Sequence, residues 1–567
     1  MTNMHDPEND ALFERDMDDD FEPHHSENPF LDNDEFAIGT LSSVDGNSAT
    51  CSLDGHILNL LRDHEDTAIA RCGAPGSILR LYVDGRCLLA NLREITINAQ
   101  DELLLTVTID FLGEGTATKN GIASFRRGIT QYPRPGDRVY CATSEILEKA
   151  FSSGDAPHIE IGHIFPTTST RASLLIDPML SMHFAVLGST GTGKSTTMAL
   201  ILHKILEQSP GAHVLVLDPH GEYSKAFEGL GETFSTENIR LPYWLMNFEE
   251  HCDVFIHSEG FEKEINRDVL GKCLLIARSK SNLAMSMGAI TVDSPLHYQI
   301  GDLLDALNQE MGKLEKSSLV PHYNRLKISI EETLRDSRFS FMFDRTLAAA
   351  SMEEFIARIL RIPARGKPLS IIDLSGMPSE IIYTVVGLLS RLILDFAIWG
   401  REEKIQPILL VCEEAQRYLS SQPHINNLHV RKNLERIAKE GRKYGVSLGL
   451  VSQRPSELSE TALSQCGTYI TLRLNSENDQ ERVRLTLPDS ARGYIDTVSA
   501  LRNRECIISG EGVVVPLRVS LEYLEESKRP RSEDPSYSEA WSQISDESDS
   551  VTRTVNRWRR QGQKAPS

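Results

Sequence analysis

The 567-residue chain contains no CxxC pair. Its nine cysteines, at positions 51, 72, 87, 141, 252, 273, 412, 466 and 506, stand singly. That scatter suggests neither a zinc cluster nor a disulfide framework, and leaves small buried thiols as the expectation. No window approaches about 18 consecutive apolar residues, which argues against a transmembrane helix. The opening MTNMHDPENDALFERDMDDD is acidic where a secretory leader is basic and then apolar. The expected location is cytoplasmic, with no membrane partner. Positive charge is also scarce: 59 Lys and Arg face 81 Asp and Glu, a net of −22. The deficit is uneven, because residues 1–35 hold 13 acids and one Arg, and −10 is spread over the other 532 residues. A body so mildly acidic leaves room for a local nucleic-acid site. With 40% apolar and 25% charged residues, the chain is of globular composition. Its length allows about two to four domains.

Four segments follow from composition and period. Residues 1–33 are acidic and poor in aliphatics, and are expected to be a disordered tail. Residues 34–165 read as short strands broken by turns, among them the Asp45-Gly46-Asn47 and Asp84-Gly85 turns, which favours a small β-barrel. Residues 166–524 alternate apolar runs (HFAVLG, HVLVLD, LSIIDLS, ILLVCEEA, VSLGLVSQ, TYITLRL) with helical stretches, the pattern of a mostly parallel α/β sheet. Within it, about 259–363 is helical in period and reads as an insertion. Residues 525–567 are a Ser, Glu, Asp, Pro and Arg-rich tail or arm. It ends in the basic VTRTVNRWRRQ, either a helix that docks on a neighbouring subunit or a frayed end.

The strongest motif is Gly-Ser-Thr-Gly-Thr-Gly-Lys-Ser at 188–195, a full match to GxxxxGK[ST]. An apolar strand precedes it and a helical run follows, as a phosphate-binding loop requires. Gly188, Gly191 and Gly193 let the backbone curl so that N–H groups face phosphate oxygens, aided by the helix N-terminus. Ser189, Thr190, Thr192 and Thr196 complete the nucleotide-binding stretch. Lys194 is expected to reach the β- and γ-phosphates, and the Ser195 hydroxyl to hold Mg²⁺.

A second apolar run, Ile408–Cys412, ends in Glu413 and Glu414. An apolar strand ending in two acids is a Walker B pattern. Glu413 takes the metal-side role and Glu414 polarises the attacking water. The usual first acid is Asp, so Glu413 departs from the pattern. Gln453, at the end of VSLGLVS, is placed to sense the γ-phosphate or orient the water. Asp218 either approaches the nucleotide or caps the next helix. RKNLERIAKEGRKYG carries six basic residues against two acids. In a ring, one of its arginines is suited to stabilise charge in the neighbouring subunit's site. Arg442 is the first candidate and Arg436 the second.

Taken together, HFAVLGSTGTGKSTT, VLDPHGEY, LLVCEEAQRYL, IAKEGRKYGVSLGLVSQRPSELS and LSQCGTYITLRL resemble the HerA-type ATPases of bacteria and archaea. These are hexameric DNA translocases related to the FtsK group, and the resemblance spans most of the chain. It implies a RecA-like P-loop ATPase domain with a helical insertion, behind a small N-terminal barrel of the HAS type. It implies ATP and Mg²⁺, double-stranded DNA in the pore of a homo-hexamer, and Lys194, Glu414, Gln453 and Arg442 as catalytic residues. Gln416 stands where many relatives carry His. The family also implies a partner: a NurA-type nuclease in DNA-end processing, or a nuclease or sirtuin-like NADase in antiphage defence. The alternative is an ATP-bound ring scaffold that docks and activates such an effector, with translocation secondary.

Overall fold

Alternating side chains shape the first third of the chain. Strands β1 (Ala37–Val44), β2 (Ser48–Asp54), β3 (Ile78–Val83), β4 (Arg86–Ile97), β5 (Leu104–Thr118), β6 (Gly121–Arg127) and β7 (Arg138–Cys141) form one antiparallel sheet in the order β2-β1-β7-β3-β4-β5-β6. Because β5 also pairs with β2, six strands close into a barrel and β6 hairpins off it. Ile38, Leu53, Leu81, Leu92, Val107 and Ile109 fill it. At the Asp84-Gly85 turn both residues have positive φ, +44° and +76°, as a tight two-residue hairpin demands. The structure is a computed structural model, and it describes residues 36–97, 103–118, 121–167, 169–313, 318–344, 347, 351–422, 428–531, 536–542 and 548–559. The expected acidic tail, 1–33, lies outside the described residues.

The second sheet uses β8 (His158–Ile164), β9 (Arg171–Leu175), β10 (Phe184–Leu187), β11 (His213–Asp218), β12 (Gly231–Phe234), β13 (Leu369–Asp373), β14 (Ile408–Cys412), β15 (Val446–Ser452), β16 (Thr468–Thr471), β17 (Glu505–Gly510) and β18 (Leu517–Leu521). Among the described residues its order is β12-β13-β11-β14-β15-β10-β16-β17-β18-β8-β9. The strands from β12 to β16 are all parallel, and those beyond β16 pair antiparallel. Parallel strands covered on both faces need continuous apolar runs, and β10, β14 and β15 are buried throughout.

The expected barrel boundary at residue 165 differs from the structure. The last barrel strand ends at Cys141, and β8 joins the second sheet through β18 and β9. A period of two reports one buried face, not which sheet the strand joins.

Between β12 and β13 the helices Gly260–Ser279, Ile300–Gly312, Val320–Arg335, Ser340–Phe343 and Met352–Ile359 form the expected insertion. On either side of it, the helices Phe248–Phe255 and Ser379–Trp399 are joined by a buried ion pair. Arg391 grips Glu250 with two hydrogen bonds, 2.8 and 2.9 Å, and donates a third to the Leu245 carbonyl at 2.6 Å. Glu250 is fully buried and also accepts from the Asn247 N–H at 2.9 Å in a capping box. Every oxygen is satisfied, so removing one partner strands a buried charge. Arg391→Met is expected to lower unfolding stability by about 3–5 kcal/mol in denaturant titration, whereas an exposed pair such as Arg325–Glu262 contributes under about 1 kcal/mol.

Helix Ser379–Trp399, which carries Arg391, is long and apolar enough to cross a membrane by length and composition. Its apolar window is 67% buried inside the protein, with Val385, Leu388 and Leu389 in the core. The barrel meets the second sheet where Arg127 donates to the Gly510 carbonyl at 2.9 Å. After β18 the chain runs back along the helix Lys194–Gln208: Lys528 lies 3.7 Å from Glu207, and the Arg531 N–H donates to the Glu222 carbonyl at 3.2 Å. All nine cysteines are free, and all but the half-buried Cys72 are buried.

Candidate nucleotide site

The site forms at the C-terminal edge of the parallel strands. Strand β10 runs into Gly188–Gly193, and the helix Lys194–Gln208 starts directly after it. Gly191 and Gly193 have φ of +76° and +98°, which a side chain at these positions would strain, and a Cβ on either would meet only open space. The loop is pinned at its base on both sides. The Gly188 N–H donates to the Ser452 carbonyl at the end of β15 (3.2 Å), and the Ser189 N–H to the Arg473 carbonyl just past β16 (2.9 Å). The Thr192 hydroxyl closes the curl onto the Ser189 carbonyl at 2.7 Å.

Lys194 is buried, and its ammonium donates to the Ser189 carbonyl at 3.2 Å. Burial lowers its pKa, while the charges of Glu414, Glu413 and Glu222 act to raise it. Three carboxylates therefore act on one ammonium. An incoming polyphosphate adds further negative charge, so the donor set fits a divalent cation alongside the nucleotide. Among the described residues, no three His, Cys, Asp or Glu side chains cluster to hold a metal by themselves.

Strand order decides who meets whom. Strand β15 lies between β10 and β14, so Gln453, just past β15, stands between the phosphate loop and the acid pair. Its amide oxygen accepts from the Thr190 hydroxyl at 2.5 Å. Glu413 and Glu414 part company at the end of β14. Glu413 is buried and accepts a hydrogen bond from the Tyr223 hydroxyl. Glu414 has a left-handed backbone, φ +50°, uncommon for a non-glycine residue, and its carboxylate accepts from the Gln416 amide.

Asp218 is bonded to the backbone that follows it. Its carboxylate accepts from the N–H groups of His220 (3.2 Å), Gly221 (2.9 Å) and Tyr223 (2.9 Å). These bonds seat Tyr223 against Glu413. No local pattern marks Tyr223 as a partner of an acid 190 residues away. Gln416 was visible only as an unusual residue beside the acid pair.

The structure brings Lys194, Glu413, Glu414 and Gln453 together with the phosphate loop, including Ser195 and Thr196 at the start of its helix. It does not bring Arg442 there. Arg442 is exposed at the N-terminal edge of β15, lining an apolar groove of about 830 Å³. The seven residues of β15 separate it from Gln453, about 20 Å at the usual rise. Arg436, the second candidate, pairs with Glu440 at 3.2 Å.

Burial raises the Glu413 carboxyl to about 7, with Glu414 and Asp218 adding to the rise and Tyr223 and Lys194 opposing it. Folded protein thus holds this proton more tightly than the unfolded chain. The group's contribution to stability falls as pH rises from about 4.5 to about 7, by on the order of 3 kcal/mol, and stays lost above that. Glu413→Gln is expected to flatten that slope when denaturant unfolding is compared at pH 5 and pH 8.

A parallel sheet with a glycine-curled phosphate loop, a buried lysine and a strand-end acid pair defines a P-loop ATPase, an ATP-hydrolysing enzyme. Residues 159–393 match the family described as "Helicase HerA, central domain". The DNA double-strand break repair helicase HerA of Pyrococcus furiosus is 28% identical over 434 residues, 68% of this chain and 73% of that protein. The protein of the same name from Sulfolobus acidocaldarius is 28% identical over 447 residues, 75% of this chain and 80% of its own length. Among solved structures, VirB4 of Thermoanaerobacter pseudethanolicus aligns with a TM-score of 0.47 at 15% identity, covering 67% of this chain and all of that one. Over these stretches the chain is similar to the HerA helicases.

Proposed function

We propose that the protein is a homo-hexameric translocase of double-stranded DNA driven by Mg²⁺-dependent ATP hydrolysis, working in the cytoplasm with a partner nuclease or other effector. The relatives named as DNA double-strand break repair helicases support the substrate class. The observation that carries the ring is the division of the site. Lys194, Glu414 and Gln453 gather at one edge of the sheet, while Arg442 stands exposed at the other. Phosphoryl transfer needs cationic stabilisation of developing charge, and Arg442 can supply it only to a neighbour's nucleotide.

In this reading the loop N–H groups and Lys194 bind the phosphates. One N–H of Lys194 is taken by the Ser189 carbonyl, which leaves two for phosphate oxygens. Ser195 and Glu413 form the metal side of the site. Magnesium, when bound, neutralises phosphate charge. Glu414 orients and polarises the attacking water, and Gln453 holds Thr190 and with it the loop's outer lip.

Turnover measured with and without linear duplex DNA, beside mass photometry of the same sample, tests the proposal. A hexamer whose turnover rises with DNA is the expected result. A monomer with DNA-insensitive turnover overturns it. The second reading is an ATP-bound ring scaffold that activates a NurA-type nuclease, another nuclease or a sirtuin-like NADase. It is favoured by the C-terminal helix Ser548–Arg559, where Val551 and Trp558 stand exposed seven residues apart on one face. Pull-down of an effector by a ring with negligible turnover selects it.

A further inference from the structure

We propose that Gln416 is a positioning residue for Glu414, the middle link of a hydrogen-bond relay that ties the glutamate to the loop after β15. The proposal rests on the reading that Glu414 acts on the attacking water.

The polarity of the relay is set at the Glu414 end, where the carboxylate accepts and so faces the Gln416 NH₂ group. The Arg454 backbone N–H donates to Ser452 Oγ at 3.1 Å, and an N–H has no other role. The Ser452 hydroxyl accepts there and donates its own proton to Gln416 Oε1, the amide end left to accept, at 2.8 Å. The NH₂ group at the other end donates to Glu414 Oε2. A flipped amide would aim its oxygen at the carboxylate and its NH₂ group at Ser452. The links are mutually consistent, and the last fixes the orientation of the Glu414 side chain. Ser452 is fully buried, so the relay runs through ground where a lost partner is not replaced by water.

The same strand end holds the phosphate loop. The Ser452 carbonyl takes the Gly188 N–H, and Gln453 takes the Thr190 hydroxyl. Glu414 and the loop are thus set against a common support. That support is fixed outward: Ser456 is held by Asp479 through its N–H (3.0 Å) and hydroxyl (2.7 Å), and the Ser421 N–H donates to the Glu457 carbonyl at 2.7 Å. A displacement of the 454–457 loop reaches Glu414 through Gln416. A neutral histidine, with one N–H and one bare nitrogen, has the donor and acceptor this relay needs, whereas leucine keeps the volume and has neither.

Steady-state ATP turnover of the full-length protein tests the relay, using Q416L, Q416H, S452A, the double variant Q416L/S452A, and E414Q as reference. Q416L is expected to lower kcat about tenfold with KM for ATP within about twofold of the wild type. Q416H is expected to recover most of the loss. S452A is expected to lower kcat as well, and the double variant to fall no further than Q416L, because both changes cut one chain. Q416L turning over within about twofold of the wild type, Q416H no better than Q416L, or losses that multiply in the double variant would each overturn the relay. An inactive E414Q beside an unaffected Q416L refutes the relay alone. An E414Q as active as the wild type refutes the role of Glu414 and the relay with it.

Discussion

Glu414→Gln is expected to cut ATP turnover by about 10³-fold while leaving the fold and nucleotide binding intact. Glutamine has the same shape, and its amide oxygen still accepts from Gln416, so the strand end keeps its geometry. What goes is the negative charge that draws a proton from water. Lys194→Ala fails differently. It removes an ammonium that faces the phosphates in both ground and transition states, so KM rises and kcat falls together. Turnover and fluorescent-nucleotide binding measured on one preparation of each variant separate the two losses. An E414Q protein that turns over within about threefold of the wild type removes Glu414 from the chemistry.

Arg442→Ala is expected to lose about 10³-fold in turnover, the scale of an arginine supplied across an interface, although Arg442 touches nothing in its own site. Its exposure makes this a clean change, since a surface substitution costs the fold little. The decisive measurement is mixing. A ring assembled from E414Q and R442A chains contains interfaces where an intact Glu414 meets an intact Arg442. About one interface in four is complete in an equal random mixture, so activity reappears from two inactive proteins. A fully active R442A shows that Arg442 acts neither in its own subunit nor across the ring, and mixtures of two inactive variants that stay dead show that it does not act across the interface.

Much of the chemistry was legible in local pattern. The phosphate loop is a contiguous motif whose strand and helix flank it within a few residues, so short-range rules suffice. The acid pair announced itself as charge at the end of an apolar run. Asp218 was legible only as two options, because capping and ligand binding call for the same carboxylate near a strand end. In the fold its carboxylate accepts from three N–H groups of the segment that follows it. Tyr223 was not legible at all. Its hydroxyl is needed because Glu413 is buried, and burial is a property of the assembled sheet. Nor did period alone separate β8 from the barrel strands, since both alternate in the same way.

The sequence by itself determined the barrel of short strands, the parallel α/β sheet and the phosphate loop, and it singled out Lys194, Glu414 and Gln453 as candidates. Each depends on backbone preference and burial within a dozen residues. Only the tertiary structure decided that β15 stands between the loop strand and the acid strand, that Gln416 and Ser452 meet, and that Arg442 lies a strand's length from the site. Strand order and the pairing of distant residues follow from how whole elements bury one another, which no local window records.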